Sequence, residues 1–273
     1  VYVPLSQNSI DEIKSRMLPY HNLLKPSDGS PITVPNKEMA YGCYYLTSMN
    51  SHFADKKDEE IPYFKDESEA LLVFAKTKLK LREPIIVRMN GEMIRTTIGR
   101  ILFNQELPEE LRYINEEVRA ADLKGVVVKA VTLFDDVEKV AELIDKIKDL
   151  GFWAATRSGG ASFSVFDNTL VDDKGTIIAA AEKKIQEIEG NYYKGLITEE
   201  ERKRLSNNVW IETTELLADK TWDEIDEENP IKIIIKSGGA RASREQLKQL
   251  SAMKGLVVDP LGKIIEVPTK SNY

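Results

Sequence analysis

The chain is predicted to adopt a helix-rich α+β fold: a β-hairpin or small sheet with packed helices and a protruding antiparallel α-hairpin. Three observations predict it. Asn90-Gly91 separates two β-rich runs within "PIIVRMNGEMIRTTIGRILFN" (84–104), and Asn-Gly favours a two-residue hairpin because both residues tolerate positive φ. The stretch "DDVEKVAELIDKIKDLG" (135–151) sets Val137, Val140, Ile144 and Ile147, with Leu143 and Leu150 beside them, on one helical stripe. Ile178, Ala181, Ile185, Ile188 and Tyr192 recur at spacings of 3, 4, 3 and 4, the seam of a coiled coil.

The elements follow in chain order. "SIDEIKSRML" (9–18) reads as a short helix with Ser9 as N-cap and Glu12 three residues on. Pro26, Asp28, Gly29, Pro31 and Pro35 then write a series of turns, and helix resumes near Glu38. "ADKKDEE" (54–60) is a solvated loop, with "DESEALLVFAKTKL" helical after it. The hairpin at 84–104 follows. "KGVVVKAVTL" (124–133) reads as a strand, and the amphipathic helix after it ends at Gly151 as C-cap. "FWAATRSGGASFSVFD" (152–167) reads as a loop whose small residues pack close to another backbone. The seam helix stops at "YYKGLIT", with Gly195 in a left-handed cap, and Thr198 with Glu201 starts a second helix. That helix carries Leu205, Val209, Trp210 and Leu216 on its apolar side, giving a hairpin over 176–220 with its tip at 194–200. "ADKTWDEIDEENP" (218–230) is an acidic linker, and "IKIIIK" (231–236) reads as a buried strand feeding "SGGARASREQLKQLSAMKGL" (237–256).

Composition narrows the chemistry. The chain has 273 residues, 42% hydrophobic and 30% charged, which suits a globular protein of one large or two ordinary domains. A net charge of −7 argues against nucleic acid wrapped over the whole surface, though not against a small basic spot at Arg241, Arg244, Lys248 and Lys254. The lone Cys43 excludes intrachain disulfides and points to a reducing, cytoplasmic setting. His21 and His52 lie in polar loops, and one Cys with two His cannot build a usual structural zinc site. Asp167, Asp172 and Asp173 read as loop acids, with cation binding the alternative. No phosphate loop of the Walker type and no nucleophile elbow is present. Two distinctive features remain. One is the helical hairpin, a docking surface. The other is Gly238-Gly239-Ala240-Arg241 ahead of a helix, which reads either as an anion site or as a glycine-relieved strand-to-helix turn with a surface arginine.

Six collinear segments resemble the largest (beta-prime) subunit of bacterial DNA-directed RNA polymerase. "NLLKPSDGSPITVPNKEMAYGCYYLT" is similar to that family's N-I-L-x-P-x-x-G-x-P-I-x-x-P-S-Q-D-x-x-x-G-x-Y-Y-L-T, and "RTTIGRILFNQELP" to T-T-x-G-R-x-x-x-N-x-x-x-P. "GFWAATRSGGASFSVFD", "YYKGLITEEER" and "SGGARASREQLKQLSAMKGL" follow in the family's order, and "EVPTKSNY" resembles I-K-S-N-F. The resemblance spans essentially the whole chain.

The resemblance implies an internal piece of that subunit, consistent with a chain that opens on "VYVPLSQ" without methionine. In the family, V-H-V-P-L-S follows N-A-D-F-D-G-D-Q-M-A, whose aspartates hold the catalytic Mg2+. No catalytic or metal-binding residue is therefore expected here, and the isolated piece is expected to be inactive. Residues 1–150 would belong to a funnel-type region and 151–230 to a secondary-channel domain with the hairpin as rim helices. Residues 231–273 would be a strand, the Gly-Arg loop and a helix leading toward the bridge helix. Arg241 is implied to contact the triphosphate of the incoming nucleotide. Lys194, Gly195, Leu196, Glu200 and Asn208 are implied to dock transcription factors of the cleavage-factor type. Beta, alpha, omega and sigma subunits would be partners, with nucleoside triphosphates, DNA and RNA bound only in the complete enzyme. The sequence departs from the family at Asn36-Lys37-Glu38, where Ser-Gln-Asp is usual, at an extra residue near 160, and at Ala242, where glycine is usual. A free-standing interaction module using the hairpin, and a small phosphate-ligand enzyme using the Arg241 loop, are the competing readings.

Overall fold

In the computed structural model, residues 3–159, 162–240 and 242–273 are described. The fold is the helix-rich α+β class, with ten α-helices and one three-stranded sheet among those residues. Contacts divide the chain into two compact units, Val1–Ser162 with Lys236–Arg241, and Phe163–Ile235 with Ala242–Tyr273. No helix among the described residues is long and apolar enough to cross a membrane.

The first unit is built around helix α2 (Glu38–Thr47), whose Ala40, Tyr41, Cys43, Tyr44 and Leu46 are all buried. Helix α1 (Gln7–Arg16) precedes it on the surface. Its N-cap is Ser6 rather than Ser9: the Ser6 Oγ accepts from the Ser9 N–H at 3.2 Å, so the helix starts one turn earlier than the sequence pattern indicates. Strand β1 (Tyr63–Phe64) runs parallel to β2 (Pro84–Met89), which pairs antiparallel with β3 (Glu92–Thr97), and α3 (Glu67–Lys76) lies between β1 and β2 in sequence. Asn90 (φ 49°) and Gly91 (φ 88°) both take the left-handed region, the type I′ geometry that matches strand twist.

Beyond Thr97 the expected strand gives way to helix α4 (Ile98–Gln105). The Thr97 Oγ1 caps it by accepting from the Arg100 N–H at 3.2 Å. Ile98, Ile101 and Phe103 are buried on α4, which is tertiary packing overriding β-propensity. The expected strand at 124–133 is also a helix, α5 (Ala120–Leu133). Leu123, Val126, Val127 and Ala130 are its buried residues, spaced i, i+3, i+4, i+7, a helical stripe that outweighs the modest helix penalty of valine.

Helix α6 (Val137–Arg157) does not stop at Gly151. Gly151 lies inside it, against α2, and a Cβ there would sit 2.5 Å from the Met39 carbonyl oxygen. A Cβ at Gly42 would in turn sit 1.8 Å from the Gly151 carbonyl oxygen. The close backbone approach expected of the small residues after 151 thus falls at Gly151 and Ala155, between two helices and not in a loop.

The second unit holds α7 (Lys174–Tyr193) and α8 (Glu199–Glu224), which pair as a hairpin. Ala181, Trp210 and Leu217 are buried between them, with Ile178, Ile185 and Val209 partly buried alongside. Leu216, expected on the apolar side, is 47% exposed, and Leu217 takes the core position. The acidic run from 218 is not a linker at first: α8 continues to Glu224. The expected strand at 231–236 is helix α9 (Pro230–Ser237). Proline suits the first turn of a helix, and the Asn229 Oδ1 accepts from the Ile231 N–H at 2.9 Å. Lys232 is buried among the isoleucines because its Nζ donates to the carbonyls of Trp222 and Ile225, both at 2.9 Å, and pairs with Glu227 at 3.0 Å. Helix α10 (Arg244–Leu247) runs into a π-type turn, Lys248–Ala252. The segment after it folds back on itself through bridges Gly255–Thr269 and Val258–Ile264.

Candidate functional site

The hairpin tip is fixed by backbone chemistry. Helix α7 ends in a Schellman arrangement: the Gly195 N–H donates to the Tyr192 carbonyl at 2.9 Å and the Leu196 N–H to the Asn191 carbonyl at 3.0 Å. Gly195 takes φ +72°, which a side chain would resist. Three residues further, the Thr198 Oγ1 accepts from the Glu201 N–H at 3.3 Å and opens α8. Glu199, Glu200 and Glu201 occupy the first turn, where the helix dipole favours acid.

The tip therefore presents a fixed set of side chains. Lys194, Leu196 and Glu200 are exposed there, and Asn208 is exposed further along α8. Among the described residues neither Lys194 nor Glu200 is held in an ion pair. Tyr193 is 83% exposed and Leu196 69% exposed, two apolar groups at the end of the hairpin. Tyr193 had no place in the expected site, since its neighbour Tyr192 carries the seam pattern. Behind the tip, Glu266 pairs with Arg202 at 2.8 Å and Lys203 at 3.2 Å, so the carboxyl of Glu266 is held below its ordinary range, chiefly by the Arg202 hydrogen bond.

At the glycine loop, the two glycines have separate reasons. Gly238 takes φ +66°. Gly239 lies on the start of α2: its carbonyl accepts from the Lys37 N–H at 3.0 Å, and a Cβ would meet the Ala40 Cβ at 2.5 Å. Lys37, one of the departures from the family pattern, has φ 51° as the residue preceding α2. Arg241 lies outside the described residues.

The helix after the loop is less open to an anion than its sequence pattern indicates. The Ser243 Oγ accepts from the Gln246 N–H at 3.3 Å, and the Gln246 Oε1 accepts from the Ser243 N–H at 3.0 Å. This capping box uses two of the donors an anion would need. The basic spot is also internally matched. Arg244 pairs with Asp219, and Lys248 with Glu215 at 2.8 Å and Glu245 at 2.7 Å. Burial works against the charge on Lys248, yet the hydrogen bonds it donates to Glu215 and Glu245, with their negative charge, outweigh it and raise its pKa. The Lys254 ammonium lies 4.7 Å from the centroid of the Tyr273 ring.

The loop acids do not converge. The Asp167 carboxylate accepts from the Ser164 N–H, and Asp173 pairs with Lys220. Among the described residues no group of three or more His, Cys, Asp or Glu is arranged to hold a metal ion. His21 and His52 are exposed, in short 3-10 turns.

Comparison with known proteins supplies the context for these features. Residues 22–168 match the family described as RNA polymerase Rpb1, domain 3. Over its full length the chain is 37% identical to the DNA-directed RNA polymerase subunit beta' of Thermosipho africanus, covering 17% of that protein. It is 38% identical to the same subunit of Desulforamulus reducens, covering 22% of it, and 36% identical to that of Symbiobacterium thermophilum, covering 24%. The chain thus spans about a fifth of the length of the curated relatives it matches.

Proposed function

Because the chain belongs to the RNA polymerase Rpb1 domain 3 family, we propose that it forms the funnel and secondary-channel wall of a DNA-directed RNA polymerase, with the α7–α8 hairpin as the rim on which transcription factors dock. In this reading, nucleotidyl transfer belongs to the assembled enzyme, whose Mg2+ is held outside this chain. The chain alone is inactive. Beta, alpha, omega and sigma subunits are its partners in the assembly, and residues 1–150, 151–230 and 231–273 contribute the funnel, the secondary-channel domain and the approach to the bridge helix. The observation that carries the docking role is the hairpin tip, where a Schellman turn and a threonine cap hold Lys194, Leu196 and Glu200 in one exposed array with Tyr193. A rigid tip loses little conformational entropy on binding, which favours affinity from a small contact.

The test is Leu196→Asp in the assembled polymerase. It should weaken binding of a cleavage-type factor about tenfold or more, as loss of an apolar anchor does, while factor-free elongation is unchanged. Unchanged factor affinity would remove the tip from the docking surface.

The role proposed for Arg241 is contact with the triphosphate of the incoming nucleotide. A guanidinium suits it, being permanently charged and able to grip two phosphate oxygens at once. In the complete enzyme Arg241→Ala should raise the apparent nucleotide KM or lower the elongation rate by about tenfold or more. Kinetics identical to the parent enzyme would exclude Arg241 from nucleotide binding.

A further inference from the structure

Within the first unit, a hollow of about 280 Å³ is lined by Tyr45, Asn50, Phe74, Lys80, Arg82 and Arg157, with Leu81 and Glu83 completing the wall. Its charge is unusual for a chain of net −7. Three cations share the wall with one carboxylate, and Glu83 is turned toward the backbone, its Oε2 3.5 Å from the Lys80 N–H. Arg82 is buried, with 8% of its surface exposed. Its Nε donates to the Ser48 Oγ at 3.1 Å, and its guanidinium lies 4.7 Å from the centroid of the Tyr45 ring. Arg157, in the last turn of α6, is oriented by the Trp153 ring at 5.1 Å. Neither Lys80 nor Arg157 forms an ion pair among the described residues. The Asn50 Oδ1 is taken by the His52 N–H at 3.0 Å, which leaves its NH2 as a further donor.

We propose that this hollow binds the phosphoryl group of a small phosphate ester. A dianion would be met by the two exposed cations, Lys80 and Arg157, with the buried guanidinium of Arg82 adding positive charge behind them, and such charge-assisted hydrogen bonds are strong. Phe74 and Leu81 give the wall an apolar side for the organic part of such an ester. The site uses none of the residues assigned above to nucleotide or factor binding, so its failure would leave those assignments standing.

The experiment is calorimetric titration of the whole 273-residue chain with AMP, inorganic phosphate and adenosine, repeated on the Lys80→Gln/Arg157→Gln double variant. Both residues are exposed, so the variant should keep the parent's thermal transition. AMP should bind more tightly than phosphate, adenosine should not bind detectably, and raised salt should weaken the interaction. The double variant should lose about tenfold in affinity per cation, roughly a hundredfold together. If phosphate matches AMP, the site still holds and free phosphate is its ligand. Equal affinity for AMP and adenosine, no binding of any probe, or full affinity in the folded double variant would each overturn the assignment.

Discussion

A methyl group at position 42 would share space with the Gly151 carbonyl oxygen, 1.8 Å away, and the Ala155 nitrogen, 2.9 Å away. Both are backbone atoms of a helix and cannot swing aside. Gly42→Ala should therefore destabilise the first unit by about 3 kcal/mol or more, the upper range of overpacking costs. Gly125 is the contrasting case: it lies within α5, and nothing lies within 4 Å of where its Cβ would be. Gly125→Ala should stabilise by about 0.5–1 kcal/mol through helix propensity and reduced unfolded-state entropy. Urea denaturation of the two variants reads both effects as opposite shifts of the midpoint. A gain at position 42 like that expected at 125 would mean that α2 and α6 do not touch through Gly42. The glycines of this chain look alike in sequence, because a contact between residues more than a hundred positions apart leaves no local mark.

At the scale of the element, the α-hairpin rests on its caps as well as its seam. Thr198→Ala removes the acceptor of the Glu201 N–H and should cost about 1 kcal/mol, measured as a lower denaturation midpoint for the second unit. The segment bearing Glu266 adds a pH-dependent brace. A carboxylate depressed in the folded state contributes stability that is present above its unfolded pKa and is lost as pH falls through its folded value. Arg202, then Lys203, depress Glu266, so the brace should loosen below the ordinary glutamate range. Hydrogen exchange at the Ile265 amide, which donates to the Val257 carbonyl at 2.9 Å, should then accelerate beyond its intrinsic pH dependence. An Ile265 rate that tracks only the intrinsic chemistry would show that the ion pairs do not hold this segment. These helices were legible in sequence because seam, left-handed glycine and T-x-x-E cap agree locally. Helices α5 and α9 and the start of α4 were not, since valine- and isoleucine-rich runs favour strand until the stripe they bury is known. The hairpin β2–β3 was readable from Asn90-Gly91 alone.

For the molecule as a whole, the site was legible only in part. The tip residues could be named from the turn signals and the family resemblance, while the pairing of Arg244 and Lys248 with acids on α8 needs the folded chain. The hollow beside Arg82 gathers residues from four separated stretches and had no sequence signal. The same distance separates sequence from stability at Cys43, an ordinary residue in the chain and fully buried in the fold. Burial pushes its thiol from 9.0 up to about 12. As pH rises above 9 the unfolded chain releases this proton and the folded chain does not, so the unfolded state binds fewer protons and stability falls with pH. The slope from this one thiol is about 1.4 kcal/mol per pH unit until the folded value is reached. Burial also raises Tyr113, to about 12, and Tyr44, so tyrosines steepen the loss above their ordinary value of 10.0. The tyrosine contributions are common to parent and variant, so they cancel in the difference between the two proteins. Cys43→Ala costs a small cavity and removes that slope, so the stability gap between parent and variant should narrow between pH 9 and 10. Denaturation midpoints at pH 8, 9 and 10 test it: a constant gap would mean that Cys43 reaches solvent in the folded protein.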